Sequence, residues 1–226
     1  MAYIPGFDCD IFISYAHDDN MVLPGETAGW VTQFRDYLEN WLVRRRGLSG
    51  LNIWFDQRDL RGSMAFDTEI REKIEGSALF FALHSHNYQK SDYCKQELEW
   101  FLEYQRQRGG IRFNNDSRLF NILLNNIHHE QWLPAFAGVG CFPLHDAPEK
   151  SQEFGQPIAP DGFGTHLRKL EDNTADLLGA LREAEAASPV REAPPTTDRP
   201  RVFIAHVADT LKPFRQRLIS EISAQA

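Results

Sequence analysis

Five short apolar runs alternate with segments of helical period along this 226-residue chain, and no hairpin signal joins one run to the next. The runs span residues 10–15, 51–55, 78–83, 118–124 and 139–144. Their apolar residues are nearly continuous rather than alternating, as expected of strands buried on both faces. Between them, Trp30, Phe34, Tyr37, Leu38, Trp41 and Leu42 keep spacings of three and four. That stripe predicts an amphipathic helix, closed by Arg44, Arg45 and Arg46 and stopped by Gly47. Phe66, Ile70 and Ile74 predict a second helix ending at Gly76. A loop to Asp92 leads into a third over about 93–108, and a last helix starts near Thr165. Parallel strands need crossover connections, so the pattern predicts an α/β fold: a parallel sheet with helices on both faces. Ligands in such sheets sit beyond the carboxyl ends of the strands, which directs attention to the loops after Tyr15, Phe55 and Leu83.

Charge and composition narrow the partners. Lys and Arg total 24 against 32 Asp and Glu, a net charge of −8. An acidic chain without a basic tract is a poor match for nucleic acid or an anionic membrane. No apolar run approaches the ~18 residues of a membrane span, and the first residues lack the layout of a signal peptide. Cys9, Cys94 and Cys141 form no CxxC pair and read as reduced thiols, as in a cytoplasmic protein. At roughly 150 residues per domain the length gives about one and a half domains. Residues 1–187 read as one domain, and 188–200, with four prolines, as a linker. Residues 201–226 read as a strand and an Asp209-capped helix. This fragment is either the start of a further domain or an element that docks elsewhere.

Familiar nucleotide signatures are missing: Ser14 and Tyr15 stand where a Gly-rich turn would follow the first strand. Asp18 and Asp19 suggest a phospho-acceptor receiver, but His84 and Asp146 occupy the places of its other key residues. The pairs His84/His86 and His128/His129 lack the surrounding ligand set of a metal site, so no metal is expected. No Ser or Cys has a neighbouring His in a nucleophile motif. The most specific stretch is Ser85-His-Asn-Tyr-Gln-Lys-Ser-Asp-Tyr-Cys-Lys-Gln-Glu-Leu98. Along the helix it opens, Cys94, Leu98, Phe101 and Leu102 form a core stripe. Tyr93, Glu97, Trp100 and Tyr104 form a second stripe beside it. A carboxylate among aromatic rings at the mouth of a sheet is unusual for plain solubility.

Together with residues 10–15 and the Asp56–Leu60–Gly62 segment, that stretch resembles the Toll/interleukin-1 receptor (TIR) domain family, nearest its bacterial and plant branches. The resemblance implies a flavodoxin-like five-stranded parallel sheet, and self-association through the loop 56–66. It also implies, from catalytic members, cleavage of NAD+ at the nicotinamide–ribose bond by a glutamate that falls at Glu97. NAD+ would be substrate rather than cofactor, and the products nicotinamide with ADP-ribose or a cyclic isomer. Ser14, Tyr15, Asp56, Arg61, Ser85 and Tyr93 are the implied nucleotide-contacting positions. Three of these have a plainer role: Tyr15 as strand-end packing, Tyr93 as a helix-start aromatic, Ser85 as a loop or capping residue. The sequence departs from some catalytic members at Ala16 and His17, where they carry basic residues, and at Arg61, where they carry an acidic one. The resemblance further implies activation by assembly under an upstream sensor in bacterial immunity or cell death. A non-catalytic interaction module is the main alternative, and a deoxyribosyltransferase-like enzyme with a catalytic glutamate a further one.

Overall fold

The computed structural model describes residues 2–55, 64–147 and 155–187, without the side chains of 64–67. The chain divides into two units, Met1–Ser188 and Pro189–Ala226. The expected linker and strand–helix fragment at 188–226 lie outside the described residues, as do Asp56 and Arg61.

In chain order the elements are β1 (Cys9–Ser14), α1 (Trp30–Arg46), β2 (Ile53–Phe55), α2 (Met64–Glu75), β3 (Ser77–His84), α3 (His86–Lys90) and α4 (Asp92–Gln107). They continue with β4 (Arg112–Phe113), β5 (Asp116–Ser117), β6 (Leu119–Leu123), β7 (Cys141–Pro143), α5 (Phe163–His166) and α6 (Arg168–Ala187). Five strands form a sheet in the order β2-β1-β3-β6-β7, every neighbouring pair parallel. This is the flavodoxin-like arrangement. The chain leaves β1 toward one edge and returns through β3 toward the other, so the crevice between β1 and β3 is the switch point where such folds take ligands.

The period of two along each strand sorts its side chains between two cores. Ile11, Ile13, Tyr15, Phe81 and Ile122 join Phe34 and Leu38 of α1 and Leu170, Leu177 and Leu178 of α6 on one face. Phe12, Ala16, Phe80 and Ala82 join Ile70 and Ile74 of α2 and Leu98 and Phe101 of α4 on the other. Through the second core runs a ladder of rings, with centroids 5.0 Å apart for Trp54–Phe12, 5.4 Å for Phe12–Phe80 and 5.0 Å for Phe80–Phe101. α1 ends as the sequence predicts: Gly47 takes a left-handed φ of 69° and its N–H caps the carbonyls of Leu42 and Val43.

Three local features differ from the sequence reading. The loop expected between Leu83 and Asp92 contains α3, whose cap residue Ser85 accepts a hydrogen bond from the Tyr88 N–H. A small antiparallel hairpin, β4–β5, precedes β6, with Asn114 turning at a φ of 53°. An Asn side chain tolerates that left-handed geometry, so the Asn114-Asn115 pair was its signal. The last helix is divided at Leu167 into α5 and α6.

Candidate active site at the carboxyl end of the sheet

Ser14 ends β1 with its side chain on the α4 face and is only 1% exposed. α4 starts at Asp92 because the Ser91 hydroxyl accepts the Cys94 N–H at 3.2 Å and caps it. Cys94, Leu98 and Phe101 anchor its core stripe, and Glu97, between them on the same side, points toward the sheet. Glu97 is 4% exposed, and its Oε2 lies 2.5 Å from Ser14 Oγ.

Ser14 Oγ is also 3.2 Å from the hydroxyl of Tyr88 on α3. Serine has one hydroxyl proton, and a carboxylate is the stronger acceptor, so Ser14 donates to Glu97. The Tyr88 hydroxyl then donates to Ser14 Oγ or to Cys94 O, 3.4 Å away. Tyr88 is fully buried, and its hydroxyl is held well above its ordinary pKa of 10, first by burial and then by Cys94 and Glu97. It is therefore a permanent donor at physiological pH. Edge-on against its ring, at 5.9 Å between centroids, sits His84. Burial lowers the His84 pKa to about 4, so the ring is neutral, with Nδ1 paired to Asn121 Oδ1 at 2.9 Å.

The remaining expected positions separate. Tyr15 follows Ser14 and so faces the opposite core, stacked on His17 at 5.4 Å and tilted against Phe55 at 6.0 Å. Ser85 donates to Asp19 Oδ2 at 2.5 Å, and the Asn87 amide to Asp19 Oδ1 at 2.7 Å. Tyr93 stands one helical turn before Glu97, half-buried against the second core. Thus the structure unites Ser14 with Glu97, adds Tyr88, and sends Tyr15 and Ser85 elsewhere. Tyr88 lies inside the diagnostic stretch, but only the fold carries its hydroxyl to Ser14.

Two cavities flank this region. A cleft of about 510 Å³ opens among the loops after β1, β3 and β6, lined by Asp18, Asp19, Glu26, Ser85, Asn87 and Asn125. Its three carboxylates repel phosphate, which makes it a poor seat for a dinucleotide's pyrophosphate. A groove of about 570 Å³ runs along the outer side of α4, past Leu98 and Leu102 to Leu133, and includes neither Ser14 nor Glu97. Among the described residues no three His, Cys, Asp or Glu side chains converge as metal ligands, and no helix is long and apolar enough to cross a membrane.

Fold and site together define a flavodoxin-like α/β domain with a buried carboxylate on the helix that follows the switch point. The family model described as "TIR domain" matches residues 11–156, more than half of the chain, and the chain belongs to that family. No curated protein matches. The solved structure of the activated Roq1 resistosome directly recognizing the pathogen effector XopQ (TIR domains) aligns over 95% of this chain and 99% of that one. The identity is 16% and the TM-score 0.37.

Proposed function

We propose that this TIR domain cleaves NAD+ at the nicotinamide–ribose bond, with Glu97 as the carboxylate that stabilises the ribosyl cation. One observation carries the reading: the carboxylate at the family's motif position is buried beside the carboxyl end of β1, its oxygen fixed by Ser14 at 2.5 Å. Breaking the C1′–N bond sends its electron pair to nicotinamide, which leaves neutral and needs no strong general acid. Positive charge gathers on C1′ and the ring oxygen of the ribose. A preorganised carboxylate in a low-dielectric setting stabilises that charge more than water does. Water adds at C1′ and loses a proton, giving nicotinamide, ADP-ribose and H+. An internal nucleophile of the adenine or ribose instead gives a cyclic isomer and the same two companions. NAD+ is the substrate, and the step draws on no cofactor. In this reading Tyr93, a turn away on α4, is the ring that packs on the nucleotide.

At 4% exposure, Glu97 meets a ribose only once a neighbouring segment shifts. Self-association through the 56–66 segment, whose last three residues open α2 and whose others lie outside the described residues, supplies such a shift and makes activity depend on assembly. A sensor that drives assembly then sets the rate of NAD+ loss, as suits a cytoplasmic defence or cell-death protein. The test is NAD+ consumption by assembled full-length protein: wild type depletes it and Glu97→Ala does not. Equal depletion by both overturns the assignment.

The same burial favours a second reading, an interaction module in which Ser14, Tyr88 and Glu97 only stabilise the fold. Assembled wild-type protein that leaves NAD+ intact supports the module.

A further inference from the structure

We propose that Tyr88 is a positioning residue for Glu97, acting through Ser14 as the outer donor of a three-member chain, Tyr88 to Ser14 to Glu97. The inference rests on the catalytic reading of Glu97 and adds a residue to that site.

The geometry leaves the chain one direction. Ser14 Oγ has two oxygen neighbours, Glu97 Oε2 at 2.5 Å and Tyr88 Oη at 3.2 Å, and a single proton to give. Donation to the carboxylate exposes the serine lone pairs to Tyr88, and of the two acceptors its hydroxyl proton can reach, Ser14 Oγ at 3.2 Å is nearer than Cys94 O at 3.4 Å. A donor behind Ser14 polarises its O–H and strengthens the bond to Glu97. It also closes off the rotamer in which the serine proton would turn away from the carboxylate.

Tyr88 is itself fixed at both ends. Its backbone N–H is held by the Ser85 hydroxyl at 2.9 Å, and its ring lies fully buried with His84 edge-on at 5.9 Å. His84 is neutral, so its ring adds no positive charge beside the hydroxyl chain. The members come from β1, α3 and α4, so the separation of Ser14 from Tyr88 is fixed by packing rather than by a flexible loop. A carboxylate held this way keeps its orientation as the ribosyl cation forms.

Tyr88→Phe removes one oxygen and keeps the ring, so the experiment is a double-mutant cycle on assembled full-length protein. It uses wild type, Tyr88→Phe, Ser14→Ala and the double variant, with kcat and KM for NAD+ and the thermal midpoint of each. Tyr88→Phe is expected to lower kcat about tenfold, the worth of one well-placed hydrogen bond. KM should stay within about twofold, and the acid limb of kcat/KM should move to higher pH. In the Ser14→Ala background the same change should have little further effect, because Tyr88 acts only through Ser14. A merely structural tyrosine would instead lower the midpoint and leave the kcat of folded protein and its pH profile alone. Unchanged kcat in Tyr88→Phe, with wild type active and Glu97→Ala inactive, overturns this inference and leaves the catalytic reading standing. So does an equal Tyr88→Phe effect in both backgrounds. Wild-type protein that assembles without consuming NAD+ overturns the catalytic reading, and this inference with it.

Discussion

Ser14 and Glu97 lie 83 residues apart in sequence, yet share a hydrogen bond of 2.5 Å in the interior. β1 and α4 are brought together by the α4-side core, where Phe12 of the strand and Ala16 just beyond it share one cluster with Leu98 and Phe101 of the helix. The bond is thus a product of the same packing that forms the domain.

Ser14→Ala should destabilise the domain by about 1–3 kcal/mol, since it leaves a buried carboxylate oxygen without that donor. Urea unfolding of wild type and variant measures the difference, and equal midpoints would show that Glu97 gains nothing from the serine.

Asp10 should be a second structural carboxylate. It is fully buried and accepts three backbone N–H groups, from Tyr3 at 2.8 Å, Ile4 at 2.9 Å and Asn52 at 2.7 Å. It thereby ties the first residues and the start of β2 to β1. Asp10→Ala should cost about 3 kcal/mol by orphaning these donors, and should speed proteolysis near the N-terminus. Limited digestion followed by mass analysis of the fragments tests this.

Arg118 plays the matching part between β3 and β6, at the same amino-terminal end of the sheet. Its Nε donates to Ala78 O at 2.7 Å, Nη1 to Gln105 Oε1 at 2.6 Å and Nη2 to Ser77 O at 3.3 Å. Arg118→Ala should cost about 2–4 kcal/mol, and Arg118→Lys should recover little, because one ammonium cannot span three acceptors on two elements. Chemical denaturation of both variants is the measurement.

The pH dependence of stability should contain two opposed parts. Burial raises Glu171 on α6 to about 7, with Arg45 opposing and Asp172 adding to the rise. Between about 4.5 and 7 the folded state then holds more protons than the unfolded, so this group's contribution falls as pH rises. Burial lowers His84 to about 4, so between about 4 and 6.5 the unfolded state binds the extra proton and this contribution rises with pH. Relative to wild type, Glu171→Gln should gain stability as pH climbs from 5 to 7, and His84→Gln should gain as pH falls from 6.5 to 4. Difference curves of unfolding free energy against pH separate the two, and a flat curve removes that group from the account.

Much of the architecture was legible because it rests on periodicity. Continuous apolar runs marked all five sheet strands, and the Trp30 stripe with Gly47 marked α1 to its last residue. Short elements escaped: α3 has five residues and β4 and β5 two each, too few for a period to show. Their cues were local, a Ser85 cap and an Asn114 turn. At the site, the motif stretch singled out Glu97, while Ser14 and Tyr15, adjacent in sequence, part to opposite cores in the fold. Neighbours along an extended chain face opposite ways, so Ser14 pairs with the carboxylate and Tyr15 joins the other core.

The sequence by itself determined the class of fold and the family, because alternating periods and a contiguous motif are one-dimensional patterns. Only the tertiary structure decided which polar groups meet. The Tyr88–Ser14–Glu97 chain, the Asp10 tie and the Arg118 clamp each join residues from different elements at hydrogen-bond range. Such distances follow from strand register and helix packing on two faces of one sheet, and no local pattern encodes them.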